Sequence, residues 1–140
     1  MRSALIGMGS NIEPMRHLSI AANELRDLFS DITFSQVYQS AAIGMDGDDF
    51  LNACCMIHHV PDQDQLLVLL KNLEDVHDRD RSKGSWKPRT LDLDLLMYDE
   101  QVLDDDLYQY AHVFVPASEL VSIALPEDKQ SILSAVCLRL

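Results

Sequence analysis

The hydrophobic positions of this 140-residue chain switch between a period of two and a helical period, and the switches lay out its elements. "SALIGMGSN" predicts an opening strand that runs into a turn at Gly7 and Gly9. Met15, Leu18, Ala22, Leu25 and Phe29 then recur at helical spacing, predicting an amphipathic helix from Pro14 to Phe29 with proline at its start. "DITFSQVYQS" predicts a second strand, and "SAAIGMDGDD" has the glycines and aspartates of a loop. "FLNACCMIHHV" predicts a third strand with Phe50, Asn52, Cys54 and Met56 on one face. Pro61 and Asp62 introduce a second helix, buried through Leu66, Leu69, Leu70 and Leu73, with Val76 as a further candidate.

From Thr90 to Tyr98 the period returns to two. Leu91, Leu93, Leu95 and Met97 would point to one face, and Asp92 and Asp94 to the other. "YDEQVLDDD" predicts a turn and a short edge strand, and "PASELVSIAL" and "DKQSILSAVCLRL" two short helices. The order β-α-β-β-α-β predicts an α+β sandwich, a mainly antiparallel sheet with helices packed on it. With no repeat, low-complexity tract or linker, residues 1–140 read as one domain.

Composition narrows the function classes. The chain is 47% hydrophobic and 24% charged, as in an ordinary soluble protein. A formal charge of -12 argues against general nucleic-acid binding or attachment to anionic membranes. The opening apolar run is too short for a signal peptide, and nothing approaches a membrane span. The three cysteines form no CxxC; Cys54 and Cys55 are adjacent in a strand and would point to opposite faces, which fits a reduced, cytoplasmic protein. The histidines show no metal-site spacing.

Against this acidic background one segment stands out. Five of the 11 basic residues (Arg79, Arg81, Lys83, Lys87 and Arg89) lie in "RDRSKGSWKPR", a loop by its Gly, Ser and Pro content. It leads directly into Asp92 and Asp94, carboxylates about 7 Å apart along a strand. At an effective dielectric near 20 their repulsion is roughly 2 kcal/mol, relieved by solvent or by a cation between them. A solvated strand face next to a solubilising loop accounts for the pattern. So does a magnesium–polyphosphate site, in which carboxylates hold the cation and Arg and Lys bind phosphate oxygens. Trp86 in the polar loop is either a stacking surface for a flat ligand or a packed anchor. Asn52 is either a satisfied structural amide or a reader of a heterocycle edge, with Phe50 beside it as core or stacking platform.

Taken together, "ALIGMGSN", "DDFLNACCMI", Glu74 and above all "WKPRTLDLDLL" resemble the 6-hydroxymethyl-7,8-dihydropterin pyrophosphokinase family. The family signature is close to Arg-Trp-Gly-Pro-Arg-Thr-Leu-Asp-Leu-Asp, matched in order by Trp86, Pro88, Arg89, Thr90, Leu91, Asp92, Leu93 and Asp94. The resemblance implies a ferredoxin-like α+β fold and transfer of pyrophosphate from ATP to a pterin hydroxymethyl group, with AMP as product. It implies magnesium on Asp92 and Asp94, and phosphate neutralisation by Arg79 and Arg89 with Arg81 assisting. Ser40, Ile43, Gly44, Phe50 and Asn52 would line the pterin pocket, Trp86 would close over the ligands, and Glu74 would approach the nucleotide. The partners implied are these small molecules, with no nucleic acid or membrane, and the protein a monomer or small homo-oligomer. Lys87 and Ser85 depart from the family's Gly and Arg, and its Pro-His segment after the metal strand is not recognisable in "DDDLYQYAHVFVP". That departure keeps a second reading open: a non-catalytic relative that binds nucleotide or pterin.

Overall fold

The computed structural model describes residues 2–40, 50–76, 91–104, 111–121 and 134–136. They form β1 (Ser3–Ser10), α1 (Pro14–Leu28), β2 (Ile32–Phe34), β3 (Val37–Ser40), β4 (Phe50–His58), α2 (Gln63–Val76), β5 (Asp92–Tyr98), β6 (Gln101–Val102), α3 (Ala111–Ser118) and β7 (Ser134–Val136). The sheet runs β6-β5-β1-β4-β3-β7, with β2 also on β4, and every pairing among the described residues is antiparallel. The inner order β5-β1-β4-β3 is the fourth-first-third-second order of a βαββαβ chain, the ferredoxin-like arrangement expected from the element sequence.

Alternation along the strands builds the main core. Ala4, Ile6 and Met8 of β1 and Leu93 and Leu95 of β5 pack with Leu18, Ala21 and Leu25 of α1 and with Leu66, Leu70 and Leu73 of α2. Each fully buried aliphatic side chain contributes about 1.5–3 kcal/mol relative to exposure. α1 starts at Pro14, where a missing N–H costs nothing, and closes with the Phe29 N–H on the Leu25 carbonyl at 2.8 Å. The Asp62 carboxylate caps α2 by accepting from the Gln65 N–H at 2.9 Å. Met15 and Val76, expected on the buried stripes, are 56% and 68% exposed. They lie in terminal turns, where a helix face has fewer neighbours to cover it.

Two irregularities depart from the sequence reading. The predicted second strand is split: Phe34 pairs with Cys55 and Tyr38 with Asn52, so β2–β3 carries one residue more than β4. Ser35 closes this bulge, its N–H donating to the Cys54 carbonyl and its Oγ accepting from the Cys54 N–H, both at 2.9 Å. In β5 the register to β1 shifts between Leu5 and Ile6, leaving Leu96 as the extra residue. Leu96 and Met97 therefore both pack in a second cluster with Leu5, Cys54 and Ala117, and Met97 does not continue the leucine face.

That second cluster is roofed by α3. The predicted "PASELVSIAL" helix instead begins at Ala111 and ends at Ser118, with Pro116 inside it and fully buried. Burial of Pro116 and Ala117 on the sheet decides this placement over the local preference for proline at a helix start. The C-terminal segment read as a helix supplies β7, which pairs with β3 at the sheet's edge. Backbone pairing with an open strand overrides the helical spacing of a short apolar segment. Among the described residues no helix is long and apolar enough to cross a membrane.

The β5–β6 hairpin turns through Asp99 and Glu100 at φ 49° and 71°, between the paired Tyr98 and Gln101. Positive φ at both central residues is the type I′ pattern, which favours Asn-Gly. The double variant Asp99→Asn/Glu100→Gly should stabilise the protein by roughly 1 kcal/mol, read as a rise of a few degrees in Tm.

Candidate active site

The site is built from residues that share one face because they are direct partners across the sheet. Gly9 pairs with Asp92 on one side and with Asn52 on the other, and Asn52 pairs in turn with Tyr38. One step along, Gly7 pairs with Asp94 and with Cys54, while Ser40 pairs with Phe50. The carboxylates of β5 and the Asn52–Phe50 pair of β4 therefore flank a stretch of β1 without side chains. The glycines were expected to make a turn, yet both lie within the strand. Their period-two alternation with Ile6 and Met8 was the signal that one face of this strand is bare.

Asp92 is half-buried and Asp94 exposed. Burial of the carboxyl against its surroundings, followed by the charge of Asp92 and a hydrogen bond with it, pushes Asp94 up to about 7 from an ordinary 3.8. Asp104 and Glu74 act in the same direction. Since Asp94 keeps much of its surface in solvent, the neighbouring like charges give the firmer reason for the upward direction. Two crowded carboxylates on an open face suit a hard divalent cation that completes its shell with water and phosphate oxygens. Among the described residues no group of three or more His, Cys, Asp or Glu side chains is placed to hold a metal ion.

Glu74 is only 6% exposed, and its Oε2 accepts the Leu93 N–H at 2.9 Å. Leu93 lies between the two aspartates on a stretch of β5 that β6 does not reach. The carboxylate thus ends the ladder there and fixes the backbone that carries Asp92 and Asp94. Glu74→Ala should lose roughly 2 kcal/mol in urea unfolding by leaving that N–H unpaired, whereas Glu74→Gln, which keeps an acceptor, should lose less.

Tyr38 and Glu119 escaped the sequence reading. The Tyr38 hydroxyl donates to Glu119 Oε2 at 2.7 Å and the Gln36 N–H donates to Oε1 at 3.2 Å, tying the turn after α3 to β3. Burial and then the Glu119 hydrogen bond push Tyr38 up to about 12, so it remains a donor at neutral pH. These partners are 81 and 83 residues apart, and no local pattern announces them. Cys54 and Cys55 are buried free thiols in opposite clusters, as expected for their alternate directions. Burial pushes Cys55 up to about 12 and Cys54 upward as well, which leaves both unreactive.

The structure brings together Asp92, Asp94, Asn52 and Phe50, with Ser40 in register beside Phe50 and Glu74 behind β5. Ile43, Gly44, Arg79, Arg81, Trp86 and Arg89 lie outside the described residues.

Comparison with known proteins identifies the family. Residues 5–122 match the family described as 7,8-dihydro-6-hydroxymethylpterin-pyrophosphokinase. A Haemophilus influenzae protein named 2-amino-4-hydroxy-6-hydroxymethyldihydropteridine pyrophosphokinase is 30% identical over 142 residues, covering 92% of this chain and 88% of that protein. Proteins of the same name from Aquifex aeolicus and Campylobacter jejuni are 26% and 35% identical, over 97% and 88% of this chain and 86% and 79% of their own lengths. With the match spanning most of its length and both carboxylates placed on one face with Asn52, the chain belongs to the 7,8-dihydro-6-hydroxymethylpterin-pyrophosphokinase family.

Proposed function

We propose that this protein transfers the terminal pyrophosphate of ATP to the hydroxymethyl group of 6-hydroxymethyl-7,8-dihydropterin, a Mg2+-dependent reaction of folate biosynthesis that takes place in the cytoplasm. The observation that carries this reading is the shared partner: Asp92 and Asn52 stand on either side of Gly9, which supports a carboxylate for the phosphate side and an amide for the ring edge on one face of the sheet. The buried free thiols Cys54 and Cys55 fit a reducing compartment.

In the reaction the hydroxymethyl oxygen forms a bond to the β-phosphorus of ATP and releases its proton to solvent. The bond from that phosphorus to the α–β bridging oxygen breaks, and AMP leaves with that oxygen and its electron pair. Asp92 and Asp94 would hold Mg2+, which when bound supplies charge neutralisation to the phosphate oxygens. Asn52 orients the pterin through its ring edge, and Phe50 supplies apolar contact beside it. Ser40, Ile43 and Gly44 complete the pterin wall, and Trp86 covers the ligands. Arg79 and Arg89 hold the phosphates with Arg81 assisting, and their planar forks follow the charge that moves onto the AMP oxygen. Glu74 supports the nucleotide side by fixing β5 between the carboxylates. Much of the rate then comes from positioning and charge neutralisation.

The test is direct: incubate the protein with ATP, Mg2+ and the reduced hydroxymethylpterin and measure AMP. Stoichiometric AMP and pterin diphosphate support the enzyme. Ligand binding without AMP would favour the non-catalytic alternative left open by the altered segment after β6.

A further inference from the structure

The missing side chain at position 9 governs more than the width of the groove. A methyl group built at Gly9 would lie 3.2 Å from Asn52 Oδ1, 3.8 Å from Phe50 Cδ1 and 3.9 Å from the Leu51 carbonyl oxygen. At Gly7 the three atoms nearest the same methyl group would all belong to Leu96, with Cδ1 at 3.2 Å, Cγ at 3.6 Å and Cδ2 at 3.8 Å. The two glycines are one turn of the pleat apart and face the same way, yet one borders an amide and the other a core leucine. Asn52 is 5% exposed, so its amide has little room to withdraw. A Cβ at position 9 would force its oxygen aside by a few tenths of an ångström and misalign it.

The row geometry adds a second reason. Asp92 and Asn52 lie on strands two spacings apart, about 10 Å, with Gly9 between them. A bicyclic heterocycle reaching from the amide toward the carboxylates with its hydroxymethyl arm crosses this residue. We propose that Gly9 is a specificity-determining, positioning residue: lacking a Cβ, it holds the Asn52 amide in its reading orientation and leaves open the crossing between that amide and Asp92. This deepens the pterin reading of the site and rests on it.

The test compares Gly9→Ala, Gly7→Ala, Asn52→Ala and the double variant Gly9→Ala/Asn52→Ala in steady-state AMP formation, with Tm measured for each. Gly9→Ala should raise KM for the hydroxymethylpterin by about tenfold or more, the equivalent of one misaligned hydrogen bond, while KM for ATP stays near wild type. Gly7→Ala should instead lower Tm through its contact with Leu96 and leave the pterin KM unchanged. In the Asn52→Ala background, Gly9→Ala should add little, because the group it acts through is gone. A wild-type pterin KM in Gly9→Ala, an effect that persists in full without Asn52, or a Gly9→Ala chain that fails to fold would each overturn the assignment. In the last case the tight contact would concern the sheet and not the ligand-facing amide. No AMP from wild type would remove the pterin reading itself and this inference with it; an active wild type with an unchanged Gly9→Ala removes the inference alone.

Discussion

Alanine in place of Asp92 or Asp94 is expected to lower AMP formation by roughly 1,000-fold or more, about 4 kcal/mol of transition-state stabilisation, with the fold intact. The leucines that anchor β5, Leu91, Leu93 and Leu95, point into the main core and are untouched by either change. Asp94→Asn should be equally inactive yet more heat-stable than wild type at pH 8 without metal. The folded protein raises the Asp94 pKa from 3.8 to about 7, so between these values it binds more protons than the unfolded chain. The stability from this group is therefore complete below about pH 4 and is lost as pH rises through 7. An amide at this position removes that loss, because it carries no charge to repel Asp92. Thermal melts across pH 4–8 without metal, paired with AMP assays, check both halves. AMP formation that survives complete chelation of magnesium in either alanine variant would remove the metal assignment.

The second large effect is expected at Arg89. Removing one preorganised donor to charge that develops in a transition state slows turnover by about 100- to 1,000-fold, roughly 3–4 kcal/mol. Arg89→Ala should therefore lower kcat far more than it weakens ATP binding, and Arg79→Ala should show a similar pattern. An arginine used only for ground-state binding would raise KM and leave kcat nearly unchanged. Lysine should restore only part of the rate, since a point charge does not reproduce the planar fork. Arginine variants altered in ATP affinity alone would exclude a catalytic role for these residues.

The strand that carries the aspartates was legible because Leu91, Asp92, Leu93, Asp94 and Leu95 alternate without ambiguity. The reading failed one residue later, where Leu95, Leu96 and Met97 are all apolar and no local contrast marks a bulge. The C-terminal strand was missed for a related reason. Its pairing with β3 is a tertiary event, and the short apolar segment around it also fits a helical spacing. Gly7 and Gly9 looked like turn residues because glycine weakens strands; only the neighbours on β4 and β5 give them a reason to be there. Of the candidate site, Asp92, Asp94, Phe50 and Asn52 could be placed on their faces from alternation alone. Tyr38 and Glu119 could not, since what joins them is a helix end docking on a distant strand.

A central strand with glycine at two positions is weaker by roughly 0.5–1 kcal/mol at each than one with alanine there. The usual remedy for such weakness, a residue of higher strand propensity, would crowd Asn52 at one position and Leu96 at the other. Selection for a sturdier fold and selection for an open groove thus oppose each other on β1. Stabilising substitutions are better placed elsewhere, at sites such as the β5–β6 turn and the exposed helix ends.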